Sequence, residues 1–297
     1  MGICDGRVAI VTGAGGGIGR AEALTLAQEG ARVVVNDLGG SVSGDGASTG
    51  PAAQVVEEIV ALGGAAVANT DDVADFDGAG RMVQQAIDAF GRLDVLVCNA
   101  GILRDRMLVN MTVEEWDAVI RVHLRGAFCP VRHAAAYWRE RSKAGEANDA
   151  RIILTSSTSG IYGNPGQTNY GAAKAGLAAF AIIAAAELGR YGVTVNAIAP
   201  SALTRMTENL GGPFAPREDT KAQMDPQWVA NVVTWLAGPD SREWSGRVVE
   251  TSGLRVAVAQ GWHRGPNSET PPASPAEVGA VLGPLLEAAD PPRLLGP

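Results

Sequence analysis

Tyr170 and Lys174 stand four positions apart in TNYGAAKAGL, an alanine-rich run with helical character. Residues at that spacing share one face of a helix, so a phenol and an ammonium there can point into one pocket. The pair suits alcohol–carbonyl chemistry. A tyrosine of ordinary pKa, near about 10, is a poor base at neutral pH, and a nearby cation favours its phenolate. Ser157 lies upstream, just past the short apolar run Ile152-Ile153-Leu154, where a strand end would present its hydroxyl to a substrate oxygen. Taken alone, Y-x-x-x-K is a weak signal, because the solvated face of an Ala-rich helix yields the same spacing. Its weight depends on the elements around it.

Those elements begin at the first residues. Arg7 to Thr12 reads as a buried strand, and the glycine turn Gly13-Ala14-Gly15-Gly16-Gly17-Ile18-Gly19 follows at once. A helical pattern near Arg20 to Gly30 and a second strand, Ala31 to Asn36, complete a βαβ unit. In that setting a glycine turn lets the backbone approach a pyrophosphate, whose charge the helix N-terminus favours. A tight turn without a ligand is the bland alternative. Asp37 ends the second strand, where a carboxylate can accept from both adenosine ribose hydroxyls and would repel a 2′-phosphate. NAD is therefore expected over NADP, and the competing reading of Asp37 is an N-cap or turn residue.

Gly39 to Gln54 is Gly/Ser-rich and reads as a mobile loop beside the adenine end, before a helix at Val55 to Leu62. After the strand Ala65 to Asn69, Asp72 and Val73 fall where an adenine ring would lie. A helix from Gly78 to Phe90 and the strand Leu93 to Cys98 precede Asn99-Ala100-Gly101, whose small side chains allow a nicotinamide ribose close to the backbone. Thr112 and Glu115 have capping-box spacing, opening a helix that runs past His123 toward Lys143. His123 sits among apolar neighbours, so a core histidine is its bland reading. Further strands are expected at Val193 to Ala199, stopping at Pro200, and at Arg247 to Thr251, with a helix at Pro226 to Ala237 between them. The segment Ser201 to Asp225 loses periodicity and reads as a substrate lid, with apolar Met206, Leu210, Phe214 and Met224 beside Arg205, Arg217 and Lys221.

The bulk numbers agree with this layout. At 297 residues, with 46% hydrophobic residues and 38 glycines, the chain suits one large α/β domain with a tail. A net charge of −8 speaks against general nucleic-acid binding. Cys4, Cys98 and Cys129 have no paired or metal-like spacing, which fits a reducing cytoplasm. No stretch reads as a membrane span, and no metal site is expected. Alternating strands and helices imply a Rossmann-type doubly wound parallel sheet with ligands at the carboxyl ends of its strands. Residues 1–260 are assigned to that domain and 261–297 to a Pro-rich C-terminal extension with a helix near Glu277 to Ala289.

T-G-x-x-x-G-x-G at Thr12 to Gly19, N-A-G at Asn99 to Gly101, Ser157, and Tyr170 with Lys174 together resemble the short-chain dehydrogenase/reductase family over about residues 5 to 255. The resemblance implies an NAD(P)-dependent oxidoreductase, a homodimer or homotetramer, with Tyr170 as general base. Lys174 would hold the nicotinamide ribose and depress the pKa of Tyr170, and Ser157 would orient the substrate oxygen. V-V-V-N-D-L-G-G at Val33 to Gly40, G-I-L-R-D-R-M at Gly101 to Met107, V-H-L-R-G at Val122 to Gly126 and S-G-I-Y-G-N at Ser159 to Asn164 are similar to the (3R)-hydroxyacyl-CoA dehydrogenase part of peroxisomal multifunctional β-oxidation enzymes. That likeness implies a CoA thioester substrate, fatty or sterol-derived, with a free hydroxysteroid as the alternative. Arg104 and Arg106 are candidate cations for the CoA phosphates.

Three positions depart from the family pattern. Cys98 replaces an asparagine, His123 replaces the helix asparagine that anchors a proton-relay water, and Ser201 follows Pro200 in a shortened loop where glycine is usual. The last change bears on Thr204 as a contact to the cofactor amide. A catalytically silent dinucleotide sensor on the same fold is the reading from another class, and the intact Ser157, Tyr170 and Lys174 weigh against it.

Overall fold

In the computed structural model, which describes residues 2–204 and 222–290, strand and helix alternate from the start. β1 (Val8–Thr12) leads into α1 (Gly17–Gln28), β2 (Arg32–Asn36), α2 (Gly50–Ala61), β3 (Ala65–Asn69), α3 (Phe76–Phe90) and β4 (Val95–Cys98). Next come α4 (Val113–Ile120), a five-residue π-helical turn (Arg121–Arg125) and α5 (Gly126–Lys143). β5 (Ala150–Thr155), α6 (Thr158–Tyr162), α7 (Thr168–Leu188) and β6 (Val193–Pro200) follow. The described chain ends with α8 (Pro226–Ala237), β7 (Val248–Thr251), β8 (Val256–Ala259) and α9 (Val278–Ala288).

The strands form one sheet in the order β3-β2-β1-β4-β5-β6-β7-β8, parallel except for the antiparallel β7–β8 pair. Both faces are covered, which explains why the strands read as unbroken apolar runs instead of alternating ones. Val8 and Ile10 of β1 enter a core with Met82, Leu96, Trp138 and Leu177. Ala9 and Val11, one residue out of phase, enter the other with Leu26, Ile59, Val97 and Val233. Trp138 is fully buried yet satisfied, its indole Nε1 donating to Leu93 O at 2.8 Å. Burying one large apolar side chain of this kind contributes about 1.5–3 kcal/mol. The chain winds outward from β1 to β3, then returns to the far side of β1 at β4. That reversal opens a crevice at the carboxyl ends of β1 and β4.

α1 packs chiefly against α8. Glu22 of α1 is fully buried, and neither carboxyl oxygen has a hydrogen-bond partner. Burial pushes its pKa up to about 8.

Several expectations need correction. α2 starts at Gly50, with Pro51 in its first turn, so the last residues of the expected loop are helical. β8 was not expected: its four residues follow a turn at Ser252 to Arg255 too closely to stand out as a separate run. The capping box at Thr112 and Glu115 is present, and the helix does reach Lys143. Its hydrogen-bond register slips at the π turn, which the apolar periodicity does not reveal. One helix, Thr168–Tyr191 at mean hydropathy 1.5, is long and apolar enough to cross a membrane by length and composition, contrary to the expectation. Alanines supply that hydropathy, and the helix packs on β5, β6 and α6. The lid residues Arg205, Met206, Leu210, Phe214, Arg217 and Lys221 lie outside the described residues.

Candidate active site and dinucleotide groove

The crevice is built first by Thr12 and the glycines after it. Thr12 Oγ1 accepts from the backbone of Asn99 and Ala100 at 3.0 and 3.1 Å, and Asn99 Nδ2 donates to Thr12 O and Gly13 O. These bonds tie the end of β1 to the end of β4. Gly13, at φ 64°, turns the chain there, and a Cβ on it would stand 2.7 Å from Ala100 Cα. A Cβ on Gly19 would stand 2.4 Å from Gly13 O. Neither position admits another residue without displacing backbone.

Gly13, Gly16, Gly17, Ile18, Asp37, Asp72, Val73, Asn99, Ala100 and Thr204 line one continuous groove. Its donor set fits a dinucleotide. Backbone of the glycine turn faces the groove at the N-terminus of α1, where an anion is favoured. Asp37 also lines the groove. Its oxygens accept from Gly15 N at 2.8 Å and Gly39 N at 2.7 Å, so the turn reading of this residue holds together with its place in the groove. A Cβ on Gly15 would stand 2.7 Å from the Asp37 carboxylate, so a glycine is needed for that approach. Arg121 is the one cation among the described residues lining the groove, and it is paired with Asp72.

A second cleft holds Ser157, Tyr170, Lys174, His123 and Pro200 together. Pro200, the cofactor-binding candidate at the end of β6, lines this cleft. Ile18, Asn99, Gly101 and Thr204 line both spaces. Thr204 also lies against Gly17, a Cβ on which would stand 3.3 Å from its methyl.

Local bonds fix the catalytic candidates. Ser157 caps α6 by accepting from Ser159 N at 3.1 Å. Lys174 is buried and donates from Nζ to Thr155 O at 2.5 Å, while Ser156 Oγ donates to Lys174 O at 2.7 Å. Burial holds the Lys174 pKa down to about 7. The Lys174 ammonium lies 5.4 Å from the Tyr170 ring centroid. Burial pushes Tyr170 up to about 12, with a hydrogen bond from Ser157 pulling the other way and the Asp105 charge adding to the rise. The expectation that Lys174 lowers this phenol's pKa is thus not met here. The ammonium sits over the ring and bonds to a backbone carbonyl, and burial dominates.

His123 hangs from the π turn, 2% exposed, with its ring edge-on to Tyr170 at 5.2 Å. Nε2 meets the backbone of Ile102, at 2.9 Å to the carbonyl and 3.2 Å from the amide. Nδ1 is buried and has no partner. Burial first, then the Lys174 charge, holds its pKa well below the ordinary histidine value, so the ring is neutral. Gly101 lies against it, and a Cβ there would stand 2.4 Å from His123 Cε1.

The arginines expected to meet CoA phosphates are otherwise engaged. Arg104 binds Ser43 O at 2.6 Å and Asp45 at 2.9 Å, and Arg106 pairs with Glu115 at 3.0 Å. Arg106 does line the cleft, and Arg104 does not. Asn169 was overlooked in the sequence: fully buried, it accepts from Tyr170 N at 2.7 Å and donates to Arg104 O at 3.0 Å. Its place just before the tyrosine, at the first turn of a helix, was the available signal. Gln167, donating to Asp105 at 2.7 Å and accepting from Ser159 Oγ at 2.8 Å, had no sequence signal.

Residues 7–212 match the family model described as short chain dehydrogenase. The chain is 44% identical to a hydroxyacyl-CoA dehydrogenase, ChsB1, of Mycobacterium tuberculosis, covering 97% of this chain and 90% of that one. It is 48% identical to peroxisomal multifunctional enzyme type 2 of Drosophila melanogaster over 84% of this chain, which spans 39% of that larger protein. A crystal structure of a short chain dehydrogenase from Mycobacterium avium superposes with a TM-score of 0.89 at 54% identity, covering 100% of both chains.

Proposed function

This chain belongs to the short chain dehydrogenase family, and from that premise we propose that it is an NAD-dependent dehydrogenase interconverting a 3-hydroxyacyl-CoA and its 3-ketone. One observation carries the proposal. Ser157, Tyr170 and Lys174 open into a cleft that shares Ile18, Asn99, Gly101 and Thr204 with the dinucleotide groove. A carbinol held at the serine and tyrosine hydroxyls therefore lies beside whatever occupies the near end of that groove.

The glycine turn, Asn99 and Thr204 would hold the dinucleotide, with Asp72 and Val73 beside its adenine end. When bound, the nicotinamide supplies the hydride acceptor. Tyr170 Oη takes the proton from the alcohol as the C–H bond breaks. Ser157 Oγ orients the substrate oxygen and hydrogen-bonds the phenol, which favours its ionised form. Lys174, positioned by Thr155 O and by the bond from Ser156, would hold the nicotinamide ribose. His123 Nδ1, buried without a partner beside Tyr170, is the group through which a water can pass the proton onward.

NAD is favoured over NADP because the Asp37 carboxylate faces the groove and Arg121 is already paired with Asp72. Two unit charges about 4 Å apart repel by about 4 kcal/mol at an effective dielectric of about 20. The thioester substrate is supported by the name of the mycobacterial relative and by apolar Leu103, Met107 and Met224 along the cleft. The test compares kcat/KM for a 3-hydroxyacyl-CoA, the same acid without CoA, and a free hydroxysteroid. Thioester preference is the expected result. If removing CoA leaves kcat/KM unchanged, or the free steroid is the better substrate, the thioester assignment fails.

A further inference from the structure

The loop between β2 and α2 forms one wall of the dinucleotide groove through Gly40, Ser41, Val42 and Gly44. It closes on itself, with Ser41 N donating to Asp45 O at 2.8 Å and Gly44 N to Ser41 O at 2.9 Å. The segment after Gly101 meets this loop, and three bonds join them. Leu103 N donates to Val42 O at 3.1 Å, Arg104 Nε to Ser43 O at 2.6 Å, and Arg104 Nη2 to Asp45 Oδ1 at 2.9 Å. Gly44, at φ 89°, packs on Ile102, where a Cβ would stand 3.1 Å from the isoleucine side chain.

We infer that Ser41 to Asp45 is a strap that retains a bound dinucleotide in its groove, and that Arg104 is the positioning residue that latches it. The inference rests on the dinucleotide reading given above. Arg104 has a second connection, because its carbonyl accepts from Asn169 Nδ2 and Asn169 Oδ1 accepts from Tyr170 N. The backbone that carries the latch and the backbone of Tyr170 are thus joined through Asn169. The three bonds are unequal. Asp45 has a side chain 71% exposed, and ion pairs in that setting contribute little. The Arg104 Nε bond is charge-assisted, short and partly buried, so it is the main fastening.

A ligand that leaves only when the latch opens dissociates at a rate the latch sets. The test is displacement of NADH from the purified full-length protein, followed by stopped-flow NADH fluorescence. Arg104→Ala is expected to raise the off-rate about tenfold, the scale of one charge-assisted hydrogen bond. Asp45→Asn is expected to raise it no more than about twofold. The double variant should match Arg104→Ala, because the contribution of Asp45 runs through the arginine. Arg104→Lys, which keeps the charge but cannot span both partners, should fall between wild type and Arg104→Ala. Hydrogen exchange at the Gly44 and Asp45 amides, measured without any dinucleotide, should quicken in Arg104→Ala. An unchanged off-rate in Arg104→Ala, or effects that multiply in the double variant, overturns the latch and leaves the dinucleotide reading standing. Failure of the wild type to bind NADH overturns both.

Discussion

Replacing Glu22 with glutamine should remove a loss of stability that builds up as pH rises from about 4.5 to about 8. The carboxyl is fully buried on α1 with both oxygens unpartnered, and its pKa rises from 4.5 to about 8 with burial as the cause. In the unfolded chain the group ionises near its ordinary value, while the folded state keeps the proton. Between pH 4.5 and about 8 the unfolded state therefore binds fewer protons, and stability falls as pH rises. Above about 8 the folded state ionises as well, and the loss levels off. The rise corresponds to about 5 kcal/mol at one pKa unit per about 1.4 kcal/mol, an upper limit because water entry or relaxation of α8 would reduce it. Glutamine resembles the protonated acid in shape and cannot ionise. Urea unfolding at fixed protein concentration, at pH 5, 7 and 9, gives the difference between the two proteins at each pH. That difference should grow by at least about 2 kcal/mol in favour of Glu22→Gln from pH 5 to pH 9. A difference independent of pH would refute the reasoning, since Glu22 would then be ionised in both states or reached by solvent.

Tyr170→Phe should lower turnover by about 10² to 10⁴ on a confirmed substrate while NADH binding, measured by fluorescence titration, stays near wild type. Asp37→Ala should weaken NAD binding and shrink the preference for NAD over NADP, read as the ratio of the two kcat/KM values; an unchanged ratio would remove Asp37 from that role. His123→Asn should keep activity if Nδ1 serves a relay water, whereas His123→Leu should lose it. A histidine needed only for packing gives the reverse ranking in the same steady-state assay.

The fold was legible because its strands are buried on both faces. Val33 to Val35, Val95 to Val97 and Ile152 to Leu154 each stand out as continuous apolar runs between glycine-rich turns. Thr12, Gly13, Gly19 and Asn99 were legible for a different reason: a Cβ on either glycine would meet backbone, and the threonine and asparagine bond the ends of β1 and β4 together. The π turn was hidden because a one-residue slip of hydrogen bonding leaves the helical spacing of Val119 and Ala127 intact. The roles of Arg104 and Asn169 were hidden as well. Each depends on a backbone atom distant in sequence, Ser43 O for one and Arg104 O for the other, and although the position of Asn169 before the tyrosine flags it, no local pattern names either partner.

Gly101 and His123 form a pair whose identities are set jointly. The φ of Gly101 is not positive, so its backbone does not demand glycine. What excludes a side chain is the imidazole, whose Cε1 would stand 2.4 Å from a Cβ there. The order of substitutions across the two sites therefore matters. A change at 101 made first meets the ring and is rejected, whereas one made after position 123 has become smaller meets no other atom closer than 3.4 Å. The histidine acts as a ratchet on its neighbour: while it stays, the turn after β4 cannot explore larger residues. A lineage that gives up the ring gains a freedom at 101 that makes the return step costly.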